Sequence, residues 1–184
     1  RYTTDGTAPT LTNGTTSSTG LFTVKSTTCY RFRLFRNGAL PSPVVTRTYI
    51  YKDKTYPFPI ISVVTDDRNL NSTEYGVFKE GPNGRSGRGR ENDCNWNMSW
   101  DRPVSFEYIT TDNECVISQE CDLSMCGGWS RSWSPHSFKL KASKTYDFQN
   151  FFAAQLFDKK PYIKSKTLQI RNGGNNVLTY GEIG

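Results

Sequence analysis

The residues whose types and spacing could bind or react are concentrated between Cys126 and Lys141, in the run Cys-Gly-Gly-Trp-Ser-Arg-Ser-Trp-Ser-Pro-His-Ser-Phe-Lys-Leu-Lys. Gly127 and Gly128 make a turn, a Ser/Arg-rich loop follows, and the residues after His136 alternate as a strand. Phe138, Leu140 and Ala142 fall on one face of that strand, and Lys139 and Lys141 on the other. A second stretch, Leu168-Gln-Ile-Arg-Asn-Gly-Gly-Asn175, is an alternating strand that ends in a polar glycine turn. The Asn172, Gly173, Gly174, Asn175 turn reads first as a tight turn needing positive φ at its glycines, and second as a ligand contact. His136 is the only histidine, and no acid or serine is spaced with it for nucleophilic catalysis. It reads as a surface residue after Pro135.

Two other sets of reactive residues carry less. The cysteines are Cys29, Cys94, Cys115, Cys121 and Cys126, an odd number with no Cys-x-x-Cys pair. A structural zinc site is not expected from that spacing, and buried free thiols are. Gly84-Arg-Ser-Gly-Arg-Gly-Arg90 has the composition of an RNA-contacting tract or a phosphate nest. One short copy reads better as part of a flexible surface loop over Gly81 to Asn97.

A chain of 184 residues makes one domain or two small ones. Only 35% of residues are hydrophobic but 14% are aromatic, so aromatic side chains must supply much of the core. No apolar run is long enough to span a bilayer. The net charge of +6 is concentrated late, in lysines from Lys139 to Lys166 interleaved with aromatics. Solvated strand faces account for it better than a nucleic-acid groove, because no nucleic-acid-binding motif accompanies it. The chain opens on Arg1 with no signal peptide, which suggests a piece of something longer.

The elements that must position these residues are mostly strands. Tyr2, Thr28 to Phe35 and Val44 to Tyr51 are β-like, Leu21 to Val24 is strand-like, and Asn13 to Gly20 is a loop. Tyr51 to Pro59, with two prolines and three charges, is an extended connector. Ile60 to Thr65 reads as a strand buried on both faces, and Gly76 to Lys79 as a short strand. Asp101 to Ile109 alternates, Thr111 to Glu114 turns, and Cys115 to Met125 returns as a strand. The one expected helix is Phe148 to Leu156, from the spacing of Phe148, Phe152 and Gln155 or Leu156.

Two family resemblances follow from these residues. The first covers residues 1 to about 50 and rests on Tyr2-Thr-Thr-Asp-Gly-Thr-Ala-Pro-Thr10, Tyr30-Arg-Phe-Arg-Leu-Phe-Arg-Asn-Gly38 and Ser42 to Ile50. It resembles the Ig-like module at the C-terminus of chitobiases and β-hexosaminidases, here without its opening strands. The second covers roughly Pro57 to the end. It rests on Pro59-Ile-Ile-Ser-Val-Val-Thr, Tyr75-Gly-Val-Phe, Trp100-Asp-Arg-Pro-Val-Ser-Phe-Glu-Tyr, Ser118-Gln, Gly127-Gly-Trp-Ser-Arg131, Ser137-Phe-Lys-Leu-Lys and Arg171-Asn-Gly-Gly-Asn. In this order they resemble the spore-coat-protein-H (CotH) family of atypical protein kinases.

The resemblances imply a mainly β chain: a small, truncated Ig-like β-sandwich over 1–53, then a β-rich α+β lobe over 54–184. They imply a secreted or cell-surface bacterial protein whose partners are extracellular protein or glycan; nucleic acid is not expected, because no nucleic-acid-binding motif is present. The CotH resemblance also implies nucleotide contacts at Gly127, Gly128, Ser130, Arg131, His136, Lys139 and Lys141. The family commonly carries lysine where this chain has His136, and imidazole is not an ammonium, which weakens that expectation. After Arg131 the only acids are Asp147, Asp158 and Glu182, none in a magnesium-holding pattern. The chain alone is therefore expected to lack catalytic residues, cofactor and metal, with ATP and magnesium belonging to a full-length parent. The other expectation is a non-catalytic adhesion or carbohydrate-interaction scaffold.

Overall fold

A computed structural model describes residues 1–51, 55–87, 90–146 and 149–173. The chain is mainly β. In chain order the elements are β1 (Tyr2–Thr3), β2 (Thr28–Phe32), β3 (Val45–Tyr49), β4 (Ile60–Val64), a one-turn helix α1 (Arg68–Asn71), β5 (Glu80–Gly87) and β6 (Arg90–Cys94). β7 (Asp101–Ile109), β8 (Cys115–Met125), β9 (Phe138–Ala142) and β10 (Thr167–Ile170) follow. Three antiparallel sheets result, in the orders β1-β2-β3, β10-β9-β8-β7-β4 and β5-β6. No helix among the described residues is long and apolar enough to cross a membrane.

The chain forms two compact units, Arg1–Asp67 with Ser105–Gln119, and Arg68–Val104 with Glu120–Gly184. The sequence division at 53/54 follows the extent of the two resemblances. The compact units follow packing, and β7 and β8 run through both of them.

In the first unit, β2 pairs with β1 through Tyr2 opposite Phe32, and with β3 through Tyr30 opposite Arg47 and Thr28 opposite Tyr49. Directly paired residues share a face, so one face of this sheet is aromatic. Phe22 lies against it, 4.9 Å from Tyr2 and 5.3 Å from Phe32 between ring centroids. Leu21 to Val24 is nonetheless not a strand: Leu21 is 83% exposed, and only Phe22 packs among the rings. Thr3, Arg31 and Thr46, on the opposite face, are buried. Gly6 has φ +83°, and a Cβ there would lie 2.2 Å from the Thr65 carbonyl oxygen, so this turn admits only glycine. The expectation that Ile60 to Thr65 is buried on both faces is corrected. β4 is the outer strand of its sheet, and Ile61 is exposed.

In the second unit, Leu123 faces Leu140 across β8 and β9, and Leu140 faces Leu168 across β9 and β10. All three are buried, each contributing about 2 kcal/mol of apolar transfer. This row exists because β9 alternates as its sequence suggests, with Leu140 and Ala142 buried and Lys139 and Lys141 on the opposite face.

Three expectations for this unit are corrected. Gly81 to Asn97 is not a loop but the hairpin β5–β6 followed by a 3-10 turn, Asn95–Asn97. Its strands are polar and shift register between Glu80, Arg85 and Gly87, so no alternation announces them. Gly76 to Lys79 is a turn rather than a strand, its amides at Gly76, Val77 and Phe78 donating to the Ser72, Asn69 and Leu70 carbonyls. The helix expected over Phe148 to Leu156 does not form. None of the residues from Gln149 to Leu156 is helical, and Phe148 lies outside the described residues. Phe152 is instead fully buried and exchanges main-chain bonds of 2.8 and 3.1 Å with Ser165. A buried bridge to a distant residue outweighs the local aromatic spacing that imitates a helix.

All five cysteines are free thiols. Cys94, Cys121 and Cys126 are buried, and burial pushes the Cys121 thiol up to about 12.

Candidate functional site

Gly127 has φ +98°, and a Cβ there would sit 2.7 Å from the Ser130 hydroxyl, so the turn out of β8 requires glycine. A single 3-10 turn, Trp129–Ser132, follows it. Arg131 folds back over this turn: its Nε–H donates to the Gly127 carbonyl at 2.6 Å and Nη1 to the Trp96 carbonyl at 3.3 Å. Asn172 braces the turn from the end of β10, its side-chain amide donating to the Ser130 carbonyl at 3.2 Å. The Asn172 main-chain N–H donates to Ser137 Oγ at 3.0 Å. Gly173 has φ +81°, while Gly174 and Asn175 lie outside the described residues.

His136 belongs to the same cluster, but as packing. Its ring stacks on Phe78 with centroids 4.7 Å apart and lies 5.6 Å from Trp96. Nδ1 is 2.8 Å from the Arg131 carbonyl, which can only accept, so Nδ1 carries the proton and donates. The expected surface position is thus a half-buried one, because Phe78 and Trp96 offer the ring two aromatic neighbours.

Among the sequence-derived candidates, Gly127, Gly128, Ser130, Arg131, His136 and Asn172 come together at this turn. Lys141 does not, and Lys139 comes near only through its Coulombic pull on Cys126 beside the turn. They leave the other face of β9, Lys139 opposite Ser124 and Gln169, Lys141 opposite Asp122 and Thr167.

The turn also meets residues that sequence reasoning set aside. Arg131 lines a cavity of about 500 Å³ together with Arg85, Ser86, Gly87, Asn97 and Ser99. Asn97, itself buried, builds one wall: its Nδ2 donates to the Arg85 and Gly87 carbonyls at 3.0 and 2.9 Å. Its own carbonyl accepts from Arg85 Nε at 3.1 Å. Asn95, in the same 3-10 turn, donates to the Thr73 and Gly76 carbonyls at 2.9 Å each. Among the described residues the lining thus has two guanidinium groups, two hydroxyls and no carboxylate. The Gly/Arg tract was the one available signal for Arg85. Nothing local marks Asn97, whose partners lie ten and twelve residues away.

Among the described residues no group of three His, Cys, Asp or Glu side chains is placed to hold a metal ion. Beside the turn, burial raises the Cys126 thiol, against the opposing pull of Lys139, Arg131 and Arg171.

Comparison with known proteins bears on the first unit. Residues 1–49 match the family described as Fn3 associated. By that match, residues 1–49 are similar to a fibronectin-III-associated, Ig-like module. No curated protein and no solved structure matches the chain.

Proposed function

We propose that this chain is the non-catalytic, β-rich part of a bacterial cell-surface protein with a CotH-like segment, and that it acts as a scaffold contacting extracellular glycans. One observation carries this reading. His136, standing where CotH-like proteins commonly have lysine, is committed to packing on Phe78 and to the Arg131 carbonyl. The two lysines that could replace such a cation leave from the other face of β9. The Fn3-associated match over residues 1–49 points the same way, toward a surface or carbohydrate-related setting.

A second reading keeps the parent as a kinase of extracellular protein, with this chain supplying nucleotide contacts and ATP and magnesium held by the full-length protein. The Gly127–Arg131 turn favours it, because phosphoryl transfer relies on cations placed against phosphate. Both arginines of the cavity suit that role in charge.

A glycan array probed with the whole labelled chain tests the first reading. Selective retention on a subset of polysaccharides supports it. Uniformly background signal, with magnesium-dependent ATP binding by the same preparation, would reverse the order of the two readings.

A further inference from the structure

The Arg85–Arg131 cavity has no ligand assigned to it by the fold or the family match. We infer that it binds a uronate residue of an acidic polysaccharide, its carboxylate between Arg85 and Arg131 and its ring against Trp129. This rests on the scaffold reading and narrows it to one class of glycan.

Charge comes first. Two guanidinium groups share a lining that contains no carboxylate among the described residues, so the cavity favours an anion. Each guanidinium is held by its Nε–H on a main-chain carbonyl, Arg85 on Asn97 and Arg131 on Gly127. Anchoring at Nε fixes the plane of each fork before a ligand arrives, and a planar carboxylate suits such forks in a charge-assisted, directional way. Asn97 fixes the wall through two further bonds to Arg85 and Gly87, so little ordering is left for binding to supply.

Size and polarity then separate a sugar from a small oxyanion. A volume of about 500 Å³ is that of a site for a ring-sized molecule. Ser86 and Ser99 add hydroxyls, which exchange hydrogen bonds with a polyol as readily as with water. Trp129 is 72% exposed and Trp133 42%, and both flank Arg131 on the same turn. An exposed indole offers a flat apolar face with a polar edge, the surface that the C–H face of a sugar ring covers well. Carboxylate and hydroxyls thus each meet a group in the lining that matches them, and the exposed indoles two residues either side of Arg131 in the chain offer the ring face.

Calorimetric titration of the whole chain with trigalacturonate, galactotriose and inorganic phosphate tests this. Trigalacturonate should give a saturable isotherm, with galactotriose weaker by about tenfold or more and phosphate weaker still. Affinity should fall as salt rises, since exposed charge contacts are screened. Arg131 also holds the Gly127 and Trp96 carbonyls, so the variants are Arg85→Gln and Trp129→Ala, each with its thermal midpoint measured alongside. Each should weaken trigalacturonate by about fivefold or more; Trp129→Ala should leave the midpoint unmoved, and Arg85→Gln, which gives up the bond to the Asn97 carbonyl, should lower it only slightly. Equal affinity for the neutral trisaccharide, unchanged affinity in both variants, or phosphate displacing the sugar at equal concentration overturns the inference. Neutral binding that Arg85→Gln leaves intact removes this site and keeps the scaffold reading. Failure of every saccharide, here and on the array, removes both.

Discussion

The main-chain N–H of Thr48 donates to Oε2 of Glu107 at 2.8 Å, and Glu107 is almost wholly buried. β3 is an edge strand of its sheet, and an edge N–H left open in the interior is costly. Glu107 closes it. Its other oxygen lies 3.8 Å from Arg47 Nη1, and Arg47 also donates to Ser118. Thr48 adds a 2.7 Å hydroxyl contact with Ser62. The segment that matches the Fn3-associated family is therefore completed, within its own compact unit, by side chains from β4, β7 and β8.

Glu107→Ala should destabilise the protein by about 2–3 kcal/mol, because it leaves the Thr48 N–H unbonded and opens a space beside it. Glu107→Gln keeps an acceptor for Thr48 and gives up the ion pair with a half-exposed arginine and a weak contact from the Cys115 thiol, so about 1 kcal/mol is expected. Denaturant titration of both variants checks the order. Equal losses would mean that the hydrogen bond to Thr48 carries nothing.

An excised 1–53 fragment loses Glu107, Ser62 and the Thr65 carbonyl against which Gly6 turns. So small a sheet buries too little surface to stand alone. The fragment should show no cooperative melt by circular dichroism, whereas the whole chain should. A cooperative melt from the monomeric fragment would make the module self-sufficient.

Asn97 holds β5 through the Arg85 and Gly87 carbonyls. Asn97→Ala should release the hairpin, so that native trypsin digestion cuts first at Arg85, a bond the parent protein protects. Mass spectrometry of the first fragments decides this. Early cleavage at Arg85 in the parent would show that the clamp does not hold.

Tyr146 donates its hydroxyl to Asp122 Oδ1 at 2.6 Å. Burial first, then this bond, raises the phenol above its ordinary 10.0. A pKa raised by folding stabilises the protonated form: the contribution is whole below the unfolded value and is lost as pH rises through the folded one. Water still reaches part of this side chain, so Tyr146→Phe should cost about 0.5–1 kcal/mol near neutrality. The gap to the parent should narrow in alkali. A gap that stays constant as pH rises through the alkaline range would refute that origin.

How much of this was legible in the sequence depends on where each residue's partners lie. β7, β8 and β9 show in the alternation of their apolar residues, and the turn at Gly127 shows in its glycines. The β5–β6 hairpin does not, because asparagine side chains hold its polar strands and no period records that. Phe152 sits at helical spacing from its neighbours but is fixed by Ser165, well beyond any local window. Arg131 could be picked out, but the cavity needs Arg85 and Asn97 as well, which only folding brings to it. Ring packing around His136 was hidden for the same reason, since Phe78 and Trp96 precede it by whole strands.

The central claim is that the turn carrying Arg131 and His136 serves a ligand other than a nucleotide. Calorimetric titration of the whole chain with ATP at about millimolar concentration, with and without magnesium, tests it most directly. The account predicts no saturable, magnesium-dependent heat. A saturable isotherm that requires magnesium and is lost in Arg85→Gln would contradict it.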